Sequence, residues 1–311
     1  MVLPVLVVTS LRQSDPFQFC SGSLPSDVPL HFVFLDEPLD FEILGRTVRL
    51  SQGGTYVECT SDNLAGALFL PASFDKLLSK WDESAPNDEL SRRLHWNTLI
   101  CLFVCLRELR CLNEPLSAIA AANKLSLHLL LPDYTFPSVY SVVREMIASS
   151  LSSPYLFKSA NDTSEIDEDT RISPQVFERI PDVTDERPVG IWQEFVASEK
   201  EFRCYYFCGD VISFEMPRGD LGHPVARYVS SERYEVKEVC DGAVADLVRR
   251  VCSKCNLEFA ALDLLRVRGV DYVIDVNPHG SWNWLPAIAA EQVRGRFRSM
   301  ISKFFQCASR E

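Results

Sequence analysis

Asp263, Asp275 and Asn277 lie within one segment, FAALDLLRVRGVDYVIDVNPHGSWNWLP, running from Phe259 to Pro286. Apolar residues alternate with other residues on both sides of Gly269, so the segment reads as two strands joined by a short turn. Pairing these strands brings two carboxylates and the Asn277 amide oxygen close together. All three are hard oxygen ligands. They suit Mg²⁺, which keeps several waters and completes its shell with substrate phosphates. The chain contains no G-x-x-x-x-G-K-[ST] loop, so a nucleoside triphosphate would have to be held without one. Acidic residues also end strands without any chemical role, and spacing alone leaves that reading open.

The elements that must position these residues are partly legible. VLPVLVVTS, HFVFLD and GALFLP are short apolar runs separated by turns, which predicts a small α/β unit with a partly parallel sheet over about residues 1 to 75. DELSRRLHWNTLICLFVCLREL, about 88 to 109, predicts a largely buried helix. Asn113 and Pro115 mark a second helix start, with the proline near the first turn. Pro132 and Pro137 bracket the loop PDYTFP. From about 138 the spacing predicts an amphipathic helix, VYSVVREMIASSL, and then a short strand, SPYLFKS. NDTSEIDEDTRISPQ is acidic and poor in apolar residues, and reads as a loop or an insertion without a role. GIWQEFVAS predicts a strand. EFRCYYFCGDVISFEMPR predicts a hairpin turning at Gly209 and Asp210. Helices are expected at about 241 to 254 and 288 to 306.

Composition narrows the class. At 311 residues, with 47% hydrophobic and 24% charged residues, the chain can build a sizeable core. No apolar run reaches the roughly 18 residues of a membrane span. The start, MVLPVLVVTSL, lacks a basic n-region and reads as a buried strand rather than a signal peptide. A net charge of −12 argues against nonspecific nucleic-acid binding. Eleven cysteines without a secretion signal point to free thiols in the cytoplasm. Cys252 and Cys255 form a lone CxxC with no second pair at zinc spacing, so they read as small buried hydrophobes.

Lys158 ending a strand before the polar loop, the strand WQEFV with EFR and a hairpin after it, and the Asp263…Asp275-Val276-Asn277 hairpin occur in an order that resembles the ATP-grasp superfamily. VNPHGSWNW resembles the N-P-x-G-x-W run of the microviridin-type (graspetide) peptide ligases, and ANKLSLHLLLPDYTFPSVY resembles their lysine-bearing helix and Pro-flanked loop. The resemblance covers nearly the whole chain and is strongest from 190 to 286. It implies an α/β (α+β) ATP-grasp fold: an N-terminal pre-ATP-grasp α/β domain over 1–112, a central lid subdomain over 113–190 and a C-terminal antiparallel-sheet subdomain over 191–311.

By that resemblance, ATP and Mg²⁺ are the cofactors. Lys124 and Lys158 match the two lysines on the ATP phosphates, for which a compact point charge is suited. Gln193, Glu194, Phe195 and Val196 match the hinge strand that reads the adenine edge, and Glu201 the acid for the ribose hydroxyls. Arg203 and Arg218 match the positive charge gathered at the transferred phosphate, and Arg227 a following arginine. Asp263, Asp275 and Asn277 match the metal ligands, Asp275 standing where the family usually has Glu. His279 is either a base beside the metal strand or a polar turn residue. Each lysine, arginine and glutamate here also has a plain reading as a solvated or ion-paired side chain.

The activity implied is two-step. A carboxylate takes the γ-phosphate of ATP, and an amine or hydroxyl then displaces the phosphate to give an amide or ester. The partner would be a ribosomally made precursor peptide crosslinked between side chains, and homodimer formation is a further implication of the resemblance. Two alternatives stay open: a ligase joining free amino acids or small carboxylates and amines, and a catalytically silent nucleotide-binding protein.

Overall fold

The computed structural model describes residues 3–9, 15–23, 29–35, 37, 39–44, 47–70, 99–107, 109–141, 144–159, 175–180, 190–216 and 236–308. Arg218, Arg227, residues 88–98 of the expected long helix and nearly all of the acidic polar segment lie outside them.

The apolar runs at the start form a parallel sheet. Strand β1 (Val5–Thr9) is buried throughout and pairs in parallel with β2 (Leu30–Phe34) on one side and β6 (Gly66–Leu70) on the other. The edge strand β7 (Cys111–Leu112) follows β6, also in parallel. A strand buried on both faces has no polar alternation, which is how VLVVT and GALFL read. Helix α1 (Asp15–Ser23) follows β1. Between β2 and β6 stands a small antiparallel sheet that the sequence reading passed over: β3 (Asp40–Leu44), β4 (Thr47–Gln52) and β5 (Thr55–Glu58). Gly53 and Gly54, both at positive φ, turn its second hairpin.

Helix α2 occupies 99–107 of the expected buried helix. The next apolar stretch makes two helices, α3 (Pro115–Ala122) and α4 (Lys124–Leu130). Asn123 separates them by accepting from Leu125 N and Ser126 N, which caps α4. Asn113 is not the cap of α3. That place belongs to Glu114, with Pro115 at the first turn. Asn113 is buried and bonds instead to Glu258 N, Phe259 N, Phe259 O and Pro278 O, tying the helix entry to the start of the Phe259–Val267 strand and the turn after Asn277.

The middle of the chain is an antiparallel sheet of order β10-β9-β11-β8. Here Ser138–Tyr140 is strand β8, and the helix α5 starts later, at Arg144–Ser150. The expectation of one helix from 138 fails because Ser138, Val139 and Tyr140 pair with Gln193, Trp192 and Ile191. Strand β9 (Tyr155–Ser159) carries Lys158, β10 is Gln175–Phe177, and β11 (Gly190–Glu194) stops before Phe195.

The C-terminal sheet has the order β14-β13-β12-β15-β16, antiparallel throughout. It comprises β12 (Lys200–Phe207), β13 (Asp210–Met216), β14 (Lys237–Glu238), β15 (Phe259–Val267) and β16 (Val270–Asn277). The first hairpin turns at Cys208 and Gly209, one residue earlier than expected, both at positive φ. The sheet's two faces are covered differently. Phe202, Cys204, Ala260, Leu262 and Leu264 belong to a core shared with α6 (Gly242–Lys254), whose Val244, Leu247, Val248, Val251 and Cys252 recur at helical spacing. Burying each such apolar side chain is worth roughly 1.5–3 kcal/mol. Cys252 and Cys255 both lie in this core, as their plain reading predicts. Tyr205, Phe207, Phe259 and Ala261 point the other way, towards Val293, Phe297 and Met300 of α7 (Ala287–Ala308). Among the described residues, no helix is long and apolar enough to cross a membrane.

Candidate active site

Register decides which side chains meet. Asp263 stands opposite Asp275 across β15 and β16, and Ala261 opposite Asn277. Side chains alternate along a strand, so Asp275 and Asn277 share a face. Arg203 of β12 is the register partner of Asp263 on its other side. The register shifts between Asp263, opposite Asp275, and Leu264, opposite Val273, and Leu264 lies in the apolar core while Leu265, Arg266 and Val267 beyond it are only partly buried. Both carboxylates are buried, at 7% and 4% exposure.

Each carboxylate has a cation beside it. Arg203 Nη1 donates to Asp263 Oδ1 at 2.9 Å. Lys124 Nζ, at the first turn of α4, lies 3.6 Å from Asp275 Oδ1. Burial works against the Arg203 charge, but Asp263 and Tyr205 outweigh it and keep the guanidinium charged. The guanidinium lies over the rings of Tyr205 and Trp284, 5.1 and 5.6 Å from their centroids. Its Nη2 reaches Ser281 O at 3.4 Å, where Tyr205 Oη also donates at 2.7 Å.

The donor set fits Mg²⁺. Two carboxylates and an amide are fewer ligands than an all-protein site needs, and among the described residues no group of three or more His, Cys, Asp or Glu side chains could hold a metal. Mg²⁺ is satisfied by one or two carboxylates when phosphate oxygens and water supply the rest. Asn277 Oδ1 accepts from His279 N at 3.1 Å, which leaves its second lone pair for another donor or a cation. That bond shapes the turn carrying Gly280. A Cβ on Gly280 would lie 2.2 Å from Ala261 Cβ, so only glycine lets this loop close against β15.

The second half of the site surrounds α4. His128 stands one turn beyond Lys124, and the sequence reading passed it over. Its Nε2 lies 3.1 Å from Ser138 Oγ and 3.3 Å from Gln193 Nε2, and Gln193 also donates to Ser138 Oγ at 2.7 Å. Burial, followed by the charge of Lys158, pushes the imidazole down to about 4, so it is neutral at neutral pH. His128, Lys158 and Gln193 thus gather where α4, β8, β9 and β11 meet, and Lys124 lies one turn before His128 on α4. Glu194 points elsewhere: its Oε1 accepts from Ser152 N at 2.8 Å. Phe195 N donates to Pro154 O at 2.7 Å, fixing the start of the segment after β11, and Val196 follows it half-buried. Glu201 is half-buried on the same strand face as Arg203.

Asp15 was also missed. This buried carboxylate at the start of α1 accepts from Ser281 Oγ, Trp282 N, Asn283 N and Asn283 Nδ2 at 2.5–2.6 Å. Asp-Pro at a helix start is visible in the sequence, but a contact across more than 260 residues is not.

No protein-family model matches the chain, and no curated protein matches it in sequence. Solved structures do match in fold. The macrocyclase MdnC of Microcystis aeruginosa MRC, bound with precursor peptide MdnA, superposes with a TM-score of 0.66 at 12% identity, over 96% of this chain and 99% of that one. The ATP-grasp ligase PsnB, complexed with a phosphomimetic variant of its minimal precursor, Mg and ADP, gives 0.66 at 11% identity, over 97% and 100%. The D-alanine–D-alanine ligase of Bacillus anthracis gives 0.57 at 12% identity, over 99% and 98%. The parallel N-terminal sheet, the middle sheet carrying Lys158 and the antiparallel sheet carrying the paired aspartates therefore make up an ATP-grasp fold.

Proposed function

We propose that the protein is an ADP-forming ligase that uses ATP and Mg²⁺ to join a carboxylate to an amine or hydroxyl, acting on side chains of a ribosomally made precursor peptide. The observation that carries this reading is the juxtaposition of Asp263 and Asp275 with Lys124 and Arg203 on one sheet face. Phosphoryl transfer asks for charge neutralisation and positioning more than for a protein nucleophile. Mg²⁺, when held by Asp263, Asp275 and Asn277, supplies Lewis-acid neutralisation of phosphate oxygens. Lys124 and Lys158 are the point charges for the phosphates. Arg203, with a planar fork fixed at both ends, orients a fixed positive charge at the transferred group. Gln193 and the Phe195–Val196 segment line the hinge that would hold the base. The aromatic and apolar packing behind Arg203 keeps water from the pair, which strengthens its field.

The peptide substrate is favoured by the likeness to MdnC and PsnB, each solved with its precursor. The likeness to D-alanine–D-alanine ligase favours a second reading, a ligase for free amino acids. Mass spectrometry separates the two. The full chain is incubated with MgATP and a candidate precursor peptide sought in its gene neighbourhood. Loss of one water per bond, with matching ADP release, is the expected result. ADP release only on adding free amino acids would favour the second reading, and no turnover with either would leave a nucleotide-binding protein.

A further inference from the structure

Asp15 contributes nothing directly to the phosphate site, yet it is buried and spends both carboxylate oxygens on one distant loop. Oδ2 accepts from Ser281 Oγ at 2.6 Å, Trp282 N at 2.5 Å and Asn283 N at 2.6 Å, and Oδ1 from Asn283 Nδ2 at 2.5 Å. Charge-assisted bonds of this kind are roughly twice as strong as neutral ones. The loop they fix is the one whose Ser281 carbonyl receives three donors: Arg203 Nη2, Tyr205 Oη and Trp284 Nε1. Arg203 is thereby held at two points, Nη1 on Asp263 and Nη2 on Ser281 O. A planar guanidinium anchored at two nitrogens has its plane fixed. Asp263 comes from the C-terminal sheet. Ser281 O owes its place to a residue of the first helix.

We propose that Asp15 is a positioning residue, fixing the Ser281–Asn283 loop so that Ser281 O sets the orientation of Arg203 towards the transferred phosphate. The inference rests on the ligase reading above and adds to it a dependence of the phosphate site on the N-terminal unit. Moving the loop by removing the Asp15 charge frees one end of the guanidinium. On the ligase reading Arg203 meets the transferred phosphate, so that end bears on a ligand with a third phosphate and little on one with two.

The test compares MgADP with MgAMPPNP by isothermal titration of the full chain. Asp15→Asn, close in shape, is expected to weaken MgAMPPNP about tenfold while leaving MgADP within about twofold, as loss of hydrogen bonds to a charged group would do. Asn283→Ala removes one donor to Asp15 from the loop side. It should move the same ratio in the same direction by less, and it decides the matter if Asp15→Asn does not fold. Equal weakening of both nucleotides would mean that Asp15 merely supports the fold. An unchanged ratio in both variants would likewise overturn the proposal. A wild-type chain with no affinity for either nucleotide would refute the ligase reading, and the positioning role with it.

Discussion

Asp263 and Asp275 face each other across one strand pair, but their losses should differ. Asp263 neutralises a fully buried arginine, and removing one partner of such a pair costs about 3–5 kcal/mol because the other charge is stranded. Asp263→Ala is therefore expected to lower the melting temperature sharply. Asp275 faces Lys124 at a longer 3.6 Å, and Asp275→Asn should cost far less stability while abolishing Mg²⁺-dependent nucleotide binding. Thermal melts and titrations of the two variants check the contrast. His128 gives a pH prediction. Its folded value near 4 lies below the ordinary 6.5, so the unfolded chain binds more protons between these limits. Its contribution is complete above pH 6.5 and is lost as pH falls towards 4. With screening at a ring partly open to solvent, the loss is on the order of 1–2 kcal/mol. His128→Gln, melted from pH 4 to 7, should flatten that part of the stability curve. The pairing of Asp263 with Asp275 was legible because their types and the turn at Gly269 both appear within 28 consecutive residues. His128 was not legible, since nothing in LSLHLLL separates a histidine facing Gln193 and Lys158 from one on a solvated face.

At the scale of elements, short strands with a strong turn signal were readable, and ends set by tertiary partners were not. The hairpin joining β15 and β16 follows from alternation and Gly269. Strand β8 was hidden because VYSVVREM has helical spacing, and only pairing with β11 makes Ser138–Tyr140 extended. The break at Asn123 was hidden because the capping bonds to Leu125 N and Ser126 N compete with a continuous helix only locally. The loop after β16 carries a steric prediction. Gly280→Ala places a methyl 2.2 Å from Ala261 Cβ, which should destabilise by about 1–3 kcal/mol. Adding Ala261→Gly should recover much of that loss, and a melt of the double variant measures it. Asn113 is a second such tie. It satisfies two backbone donors and two acceptors around Phe259, so Asn113→Ala leaves buried polar groups stranded and should cost about 2–4 kcal/mol by chemical denaturation.

At the scale of the molecule, the proposed site belongs to no single sheet. Lys124 comes from a helix between sheets, Lys158 and Gln193 from the middle sheet, Arg203 and the aspartates from the last, and the loop holding Arg203 is fastened by Asp15 in the first helix. The sequence order of these parts pointed to the architecture, while the links between them, Asp15 to Ser281 and Asn113 to Phe259, are long-range contacts that no local pattern encodes. The proposed chemistry requires these separated pieces to act as one Mg²⁺-nucleotide site. Isothermal titration of ATP into the full chain, with and without Mg²⁺, tests this most directly. ATP binding that strengthens at least about tenfold with Mg²⁺, and loses that gain in Asp275→Asn while the variant stays folded, is the predicted result. ATP binding indifferent to Mg²⁺, or a Mg²⁺ effect that survives Asp275→Asn, would contradict it.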